Sequence, residues 1–293
     1  MSAAPMLARW MCALAFLCAL CDVRAANVFS HVEFTEGRAS IIDAKGQSRA
    51  ARVGEKVIEG ETLVTGSDGE LHARTDDHGL IALRANTRVK VEVYRAAGDD
   101  DDRSVLSLVG GTLRSLTGWI GKYRPANYLV KANTATIGIR GTDHEPLVIA
   151  PGDKQGPAGT YDKVNAGSTY IQNATGRVDI AAGHAGFAPH DGKFAPRALE
   201  KVPDAYKATR NEGRINARKE ELAREVEQHR LERQKETKEK AEAAKQKVEE
   251  KAGAATDKSA DKSDAAKSDE KADTAKEKAR EKAERRRRAA SKP

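Results

Sequence analysis

Cysteine is nearly absent from this 293-residue chain: there are three, and all lie within the first 25 residues. Beyond Ala25 there is no thiol, which excludes cysteine nucleophiles, cysteine-ligated zinc and disulfides from the rest of the chain together. Aromatic residues make up only 4% and charged residues 32%. With so few aromatics and so many charges, much of the chain cannot join a core. No Gly-x-Ser-x-Gly elbow occurs, and no Ser/His/Asp grouping has a recognisable context. No catalytic residue is assigned on this basis, no cofactor is implied, and an enzyme is not expected.

Long apolar runs are missing too. The run WMCALAFLCAL at 10–20 falls well short of the roughly 20 residues a helix needs to cross a bilayer. Arg9 precedes it, Asp22 and Arg24 close it, and Val23-Arg24-Ala25 offers small residues where a signal peptidase reads. Residues 1–25 therefore read as a signal peptide cleaved after Ala25. This predicts a periplasmic protein with no membrane span after cleavage. The alternatives are an uncleaved anchor and a lipidated Cys21, the latter opposed by the bulk of Leu20.

Charge is unevenly spread. From Arg197 onward there are 29 Lys and Arg against 22 Asp and Glu, which accounts for the whole net charge of +7 and leaves residues 1–196 neutral. The basic character belongs to the tail, so nucleic acid is not expected as a partner of the folded part.

What is present from 27 to about 188 is alternation of period two, broken by turn residues every eight to twelve positions. Strands are predicted at 38–42, 56–58, 62–64, 70–74, 80–83, 88–94, 104–109, 112–116, 128–132, 136–139, 146–150, 168–172 and 178–181. The segment RVKVEVY sets Val89, Val91 and Val93 on one face and charges on the other, as a half-buried antiparallel strand requires. Pairs such as Lys45-Gly46, Gly110-Gly111 and Thr175-Gly176 supply the turns. The expected fold class is all-β over 27–196: many short strands in a sandwich or roll, or a short β-solenoid.

Beyond Pro196 the composition changes. Residues 197–252 are rich in Glu, Lys, Arg, Ala and Gln and predict a charged helical segment. Its apolar residues are sparse: Ile215, Leu222, Val226 and Leu231, then none until Val248. Ile215 and Leu222 stand one heptad apart, but a coiled coil needs that seam sustained over three or four heptads. A solvated helix with weak pairing capacity is expected. Residues 253–293 read as a low-complexity basic tail, disordered over 253–275 and regaining helix at 276–288.

The stretch TIGIRGTDHEPLVI at 136–149 invites a phosphate-loop reading. Such a loop needs a strand ending in glycines and a helix whose free N–H groups face the anion. Here Pro146 and the apolar Leu147, Val148 and Ile149 follow, and no Gly-Lys-Ser/Thr completes the motif. Gly138, Arg140, Gly141 and Thr142 are read as structural, with glycines allowing close backbone approach and Arg140 in a planar hydrogen-bond network near a turn. Asp143-His144-Glu145 cannot converge on one ion from a strand, because neighbours point to opposite faces. Asp99 to Asp102 (DDDD) lacks the spaced ligands and glycine of a calcium loop and reads as a solvated hairpin tip. No metal site is expected.

Several fragments, in order, carry a family resemblance. They are Val53-Gly54, Gly60-Glu61, Val64-Thr65-Gly66, the run from Thr75 to Arg84 (TDDHGLIALR), Asn86-Thr87-Arg88, Leu108-Val109-Gly110-Gly111, and Ile137 to Thr142 (IGIRGT). From 32 to 143 the chain resembles a FecR domain, with a β extension over 144–188. The resemblance implies an all-β extracytoplasmic domain that binds a partner protein or ligand without catalysis. His78 stands where the resemblance leads one to expect glycine. Ferric-citrate-type regulators place an anti-sigma segment and a membrane span before the domain. This chain instead reads as a stand-alone exported form, so sigma regulation is not carried over.

The expected function is a non-enzymatic partner-binding or scaffold role in the cell envelope. Arg285, Arg286, Arg287 and Arg288 are candidates for contact with an anionic surface. The alternatives are an extracytoplasmic sensor that binds a small ligand and signals to a separate membrane protein, and a hydrolase of envelope polymers. The residues identify neither partner nor ligand.

Overall fold

The structure is a computed structural model that describes residues 27–289. The predicted signal peptide at 1–25 lies outside the described residues. Fifteen strands are found among the described residues: β1 (Val28–Glu36), β2 (Ala39–Ile42), β3 (Ser48–Ala50), β4 (Lys56–Ile58), β5 (Thr62–Thr65), β6 (Glu70–Thr75), β7 (Leu80–Leu83), β8 (Arg88–Arg95), β9 (Arg103–Leu116), β10 (Tyr128–Ala132), β11 (Ala135–Ile149), β12 (Gly159–Asn173), β13 (Gly176–Ala181), β14 (Ala185–Pro189) and β15 (Arg197–Leu199). A short helix, α1 (Trp119–Tyr123), follows β9, and α2 (Glu212–Ala289) ends the described chain.

Three long strands organise the body. Each sends one half into one layer and its other half into a second layer. The first layer runs β3–β2–β5–β8, the first half of β9, β10, the first half of β11, the second half of β12, then β13. The second runs β4–β1–β6–β7, the second half of β9, the second half of β11, the first half of β12, then β14 and β15. Strands that switch sheets in this way form the corners of a sandwich and need a bend at the crossing. The bends fall at Gly111 (φ 86°), Gly141 (φ 58°) and Gly167 (φ 79°), in left-handed backbone that glycine alone enters freely. At Gly167 a Cβ would stand 2.3 Å from the Gly141 carbonyl oxygen, so two of the corners pack against each other.

One core fills the space between the layers. Ile41, Leu63, Val89, Val91, Leu106 and Val130 from the first layer meet Phe29, Leu71, Ile81, Leu83 and Leu113 from the second. Phe29 and Tyr94 pack edge to face across it, with ring centroids 4.9 Å apart. Beneath them the Tyr94 hydroxyl accepts the Asp77 backbone N–H at 2.8 Å.

The described residues form two compact units that divide between Arg230 and Leu231, and the first turns of α2 belong to the first. This corrects the expectation of a wholly solvated helix. Ile215, Leu222 and Val226 are spaced i, i+7 and i+11, which sets them on one stripe, and they are 1%, 3% and 2% exposed. Ile215 and Leu222 cluster with Leu80, Ala82 and Leu116 of β7 and β9. The stripe that is too short for a coiled coil is long enough to pack on the sheet. It also explains why LIAL in β7 is apolar throughout: that strand is buried on both faces. The body therefore extends past residue 196, through β15 and on to 230.

In the second unit Leu231 and Val248 are 52% and 67% exposed. The helix runs on through 253–275, where the composition predicts disorder. Ala, Asp and Lys dominate that stretch, and Ala and Lys are strong helix formers. The side chains of Arg285, Arg286, Arg287 and Arg288 lie outside the described residues. Among the described residues no helix is long and apolar enough to cross a membrane.

Candidate functional site: a charged sheet face under a helix

Alternation decides which side chains of the second layer face α2. In β6 these are Glu70, His72 and Arg74. In β9 they include Arg114, and in β11 Asp143 and Glu145. The Arg114 guanidinium forks onto Asp143, with Nε to Oδ1 at 2.9 Å and Nη2 to Oδ2 at 2.8 Å. Arg84 donates to Glu145 Oε2 at 2.6 Å, and Lys163 Nζ lies 2.6 Å from Glu145 Oε1. Asn165 Nδ2 links both carboxylates, at 3.1 Å to Asp143 and 2.9 Å to Glu145. Burial works to raise the Asp143 carboxyl; Arg114, Lys219 and Asn165 overcome it and hold it near 2. Glu145 is likewise pulled below the usual range against its burial, by Lys163, Asn165 and Arg84.

The start of α2 completes these pairings. Glu212, in its first turn where a carboxylate suits the helix dipole, accepts from both Arg84 (3.0 Å) and Arg114. Lys219 Nζ reaches Asp143 Oδ2 at 3.0 Å, Asn216 accepts from Arg114 at 3.0 Å, and Arg218 pairs with Glu33 at 2.6 Å. Asn211 donates to Glu70 and Glu36 at 3.1 and 2.7 Å. Arg74 and His78 both meet Glu225. At the far end His229 stacks flat on Trp119, with centroids 3.9 Å apart and planes 7° apart.

The residues singled out from sequence separate in space. Gly138 lies under the Tyr170 ring, which a Cβ would approach to 2.1 Å, and Arg177 covers that ring at 3.6 Å. Gly141 is a corner. The Thr142 backbone exchanges hydrogen bonds with Thr117. Arg140 departs from expectation: it is exposed, and no planar network engages it among the described residues. It falls one residue before the corner, on a register shift of β11, and the adjacent alternation carries it outward.

Asp143, His144 and Glu145 do take opposite faces: His144 turns inward and meets Asp162 at 2.9 Å, fully buried. No cluster able to hold a metal ion exists among the described residues. The DDDD turn departs from a solvated tip at Asp102, which is 1% exposed. Its carboxylate accepts from the Ala97 and Gly98 amides and from Trp119 Nε1 at 3.0 Å, so it orders the loop and seats the indole. His78 has φ 56°, the left-handed conformation of the glycine that the resemblance anticipates there.

Sequence reasoning missed Arg84, Arg114, Trp119 and Glu212. The available signal was a charged residue on the face of the sheet away from the core, paired with a short apolar stripe on a later helix.

A comparison with protein-family models matches residues 61–157 to FecR, described as FecR protein. No curated protein matches. Two crystal structures of a candidate anti-sigma factor from Parabacteroides distasonis ATCC 8503, at 1.65 and 2.50 Å resolution, are similar to this chain. Identities are 12% and 13%, TM-scores are 0.38 and 0.36, and the matches cover 50% and 49% of this chain. The chain spans 61% and 60% of the length of those two chains. The bent strand β9, the whole of the corner strand β11 and the Arg114–Asp143 pair thus lie in the segment, residues 61–157, that matches the FecR family.

Proposed function

We propose that this chain is a non-enzymatic, exported FecR-domain protein with a regulatory role in the cell envelope, in which the β body binds a partner protein. The FecR match supports the regulatory class. One observation carries the partner-binding part: Arg84, Arg114 and Asp143 are fully paired only with a helix on top of them. A face of this kind holds a helical segment by matched charge, because a buried charge left without its partner is strongly unfavourable. A partner helix presenting carboxylates at the positions of Glu212 and Glu225 would meet the same guanidinium groups.

Export rests on residues 1–25, and the periplasm is the compartment they address. The four arginines at 285–288 would draw the tail toward an anionic surface such as phospholipid head groups, at about 1 kcal/mol per basic residue. Salt-sensitive vesicle binding lost on truncation at Glu284 supports that role; salt-independent binding contradicts it.

The test of the whole reading is photo-crosslinking in intact cells from the exposed positions Val53 and Val109, in the wild type and in Arg74→Glu. One discrete envelope adduct that disappears in Arg74→Glu supports the proposal. An adduct indifferent to Arg74→Glu, or an unprocessed chain recovered from the cytosol, contradicts it.

A further inference from the structure

The same face of the second layer carries another site, built mostly from residues that follow the matched FecR segment, and we propose that it binds a small aromatic carboxylate. Its floor is the ring pair of Tyr161 in β12 and Phe187 in β14, register partners whose centroids lie 4.5 Å apart with planes at 35°. Ile149, Leu199 and Pro203 wall a cavity of about 220 Å³ above them. Arg197 and Lys201 stand at its rim.

Two features distinguish this cavity from a packing gap. The first is charge. Arg84 and Arg114 are each tied to two carboxylates, whereas neither Arg197 nor Lys201 has an ion pair among the described residues, and both are exposed. Arg197 is the register partner of Phe187, and its guanidinium carbon sits 5.2 Å over that ring. A cation is thus held over an aromatic floor with its hydrogen-bonding edge uncommitted. The second is space. A Cβ at Gly156 would lie 3.5 Å from Ile149 Cδ1 and 3.8 Å from Tyr161 Oη, so the missing side chain is what leaves the wall open.

Size and chemistry then select the ligand. An apolar cavity of about 150 Å³ accommodates benzene, so this one takes a single ring with a carboxylate-sized substituent. The ring covers Tyr161 and Phe187. The carboxylate takes the guanidinium fork of Arg197, a bidentate match that a neutral amide cannot supply, and Lys201 adds a second positive charge. The Tyr161 hydroxyl is already donated to the Pro157 carbonyl at 2.7 Å, which leaves its ring as the binding element.

The test is titration of the full chain with benzoate, followed by calorimetry or ligand-observed NMR. Benzamide (a ring without charge) and acetate (a charge without a ring) serve as controls. Saturable benzoate binding is expected, with both controls at least ten-fold weaker. The rim variant Arg197→Gln/Lys201→Gln, at exposed positions, should lose at least ten-fold in benzoate affinity with an unchanged Tm. Gly156→Val, which fills the cavity in ordinary backbone, should abolish binding. Absence of benzoate binding, equal binding of benzoate and benzamide, or full affinity in the rim variant overturns the proposal. The rim variant decides the matter even where Gly156→Val fails to fold.

Discussion

Arg114 and Asp143 meet as a two-toothed pair on adjacent strands, with side chains 6% and 4% exposed and a helix laid over both. Each has a further partner on that helix, Glu212 and Lys219. Their strands β9 and β11 are two of the three that bend from one layer to the other, so the pair joins the corner architecture to the helix-bearing face.

Removing one member leaves a buried charge alone. Arg114→Ala is expected to destabilise the body by about 3–5 kcal/mol, and Asp143→Asn by less, since the amide still accepts a hydrogen bond. Urea unfolding of the single and double variants, read as a double-mutant cycle, checks this; additive losses would mean that the two groups do not interact.

The same pair sets an acid limit. Asp143 is held near 2 in the folded chain, against about 3.9 when unfolded. A depressed carboxyl contributes stability that is fully present above the unfolded value and lost as pH falls through the folded one. The loss therefore falls between about pH 4 and pH 2 and amounts to about 2–3 kcal/mol. Stability measured against pH should be flatter in that window for Asp143→Asn than for the wild type.

Leu222 and Leu231 both lie on α2, yet only the first is buried. Leu222→Ala should cost about 2–5 kcal/mol, the range for a core leucine, whereas Leu231→Ala should change stability by under about 0.5 kcal/mol. Thermal melts of the two variants distinguish a docked helix start from a solvated one.

The corners separate backbone strain from crowding. Gly141→Ala meets only Lys122, at 3.7 Å, so it bears left-handed strain of about 1–2 kcal/mol. Gly167→Ala bears the same strain and also a clash at 2.3 Å with the Gly141 carbonyl. Reduced yield or loss of cooperative unfolding is expected for Gly167→Ala alone. By the same rule, His78→Gly should be tolerated at φ 56°, while β-branched His78→Val should destabilise by more than about 1 kcal/mol.

Much of the strand layout was legible because period two survives wherever one face is wet. β4, β7 and β10 fall on their predicted bounds, and β8 ends one residue later than predicted. β1 escaped because register shifts at Val28/Ser30 and Val32/Phe34 break its alternation, and β3 (SRA) and β15 (RAL) escaped because, unlike the equally short β4 (KVI), they hold no β-branched or aromatic residue. Gly110-Gly111 reads as a hairpin turn, yet β9 continues through it with a bend, since the same left-handed freedom serves a corner as well as a turn. The charged face was hidden for another reason. Arg84, Arg114 and Glu145 look like solvent-facing residues of half-buried strands until the helix at 212–230 is laid over them, and only three apolar residues on that helix announced the cover.

Amide hydrogen exchange of the full chain tests the central claim most directly. If the opening turns of α2 are part of the FecR-bearing body, the amides of Ile215, Leu222 and Val226 should exchange as slowly as those of β7 and β9, and far more slowly than those near Val248. Equal, fast exchange along the whole of α2 would contradict it, and the charged face would then stand uncovered.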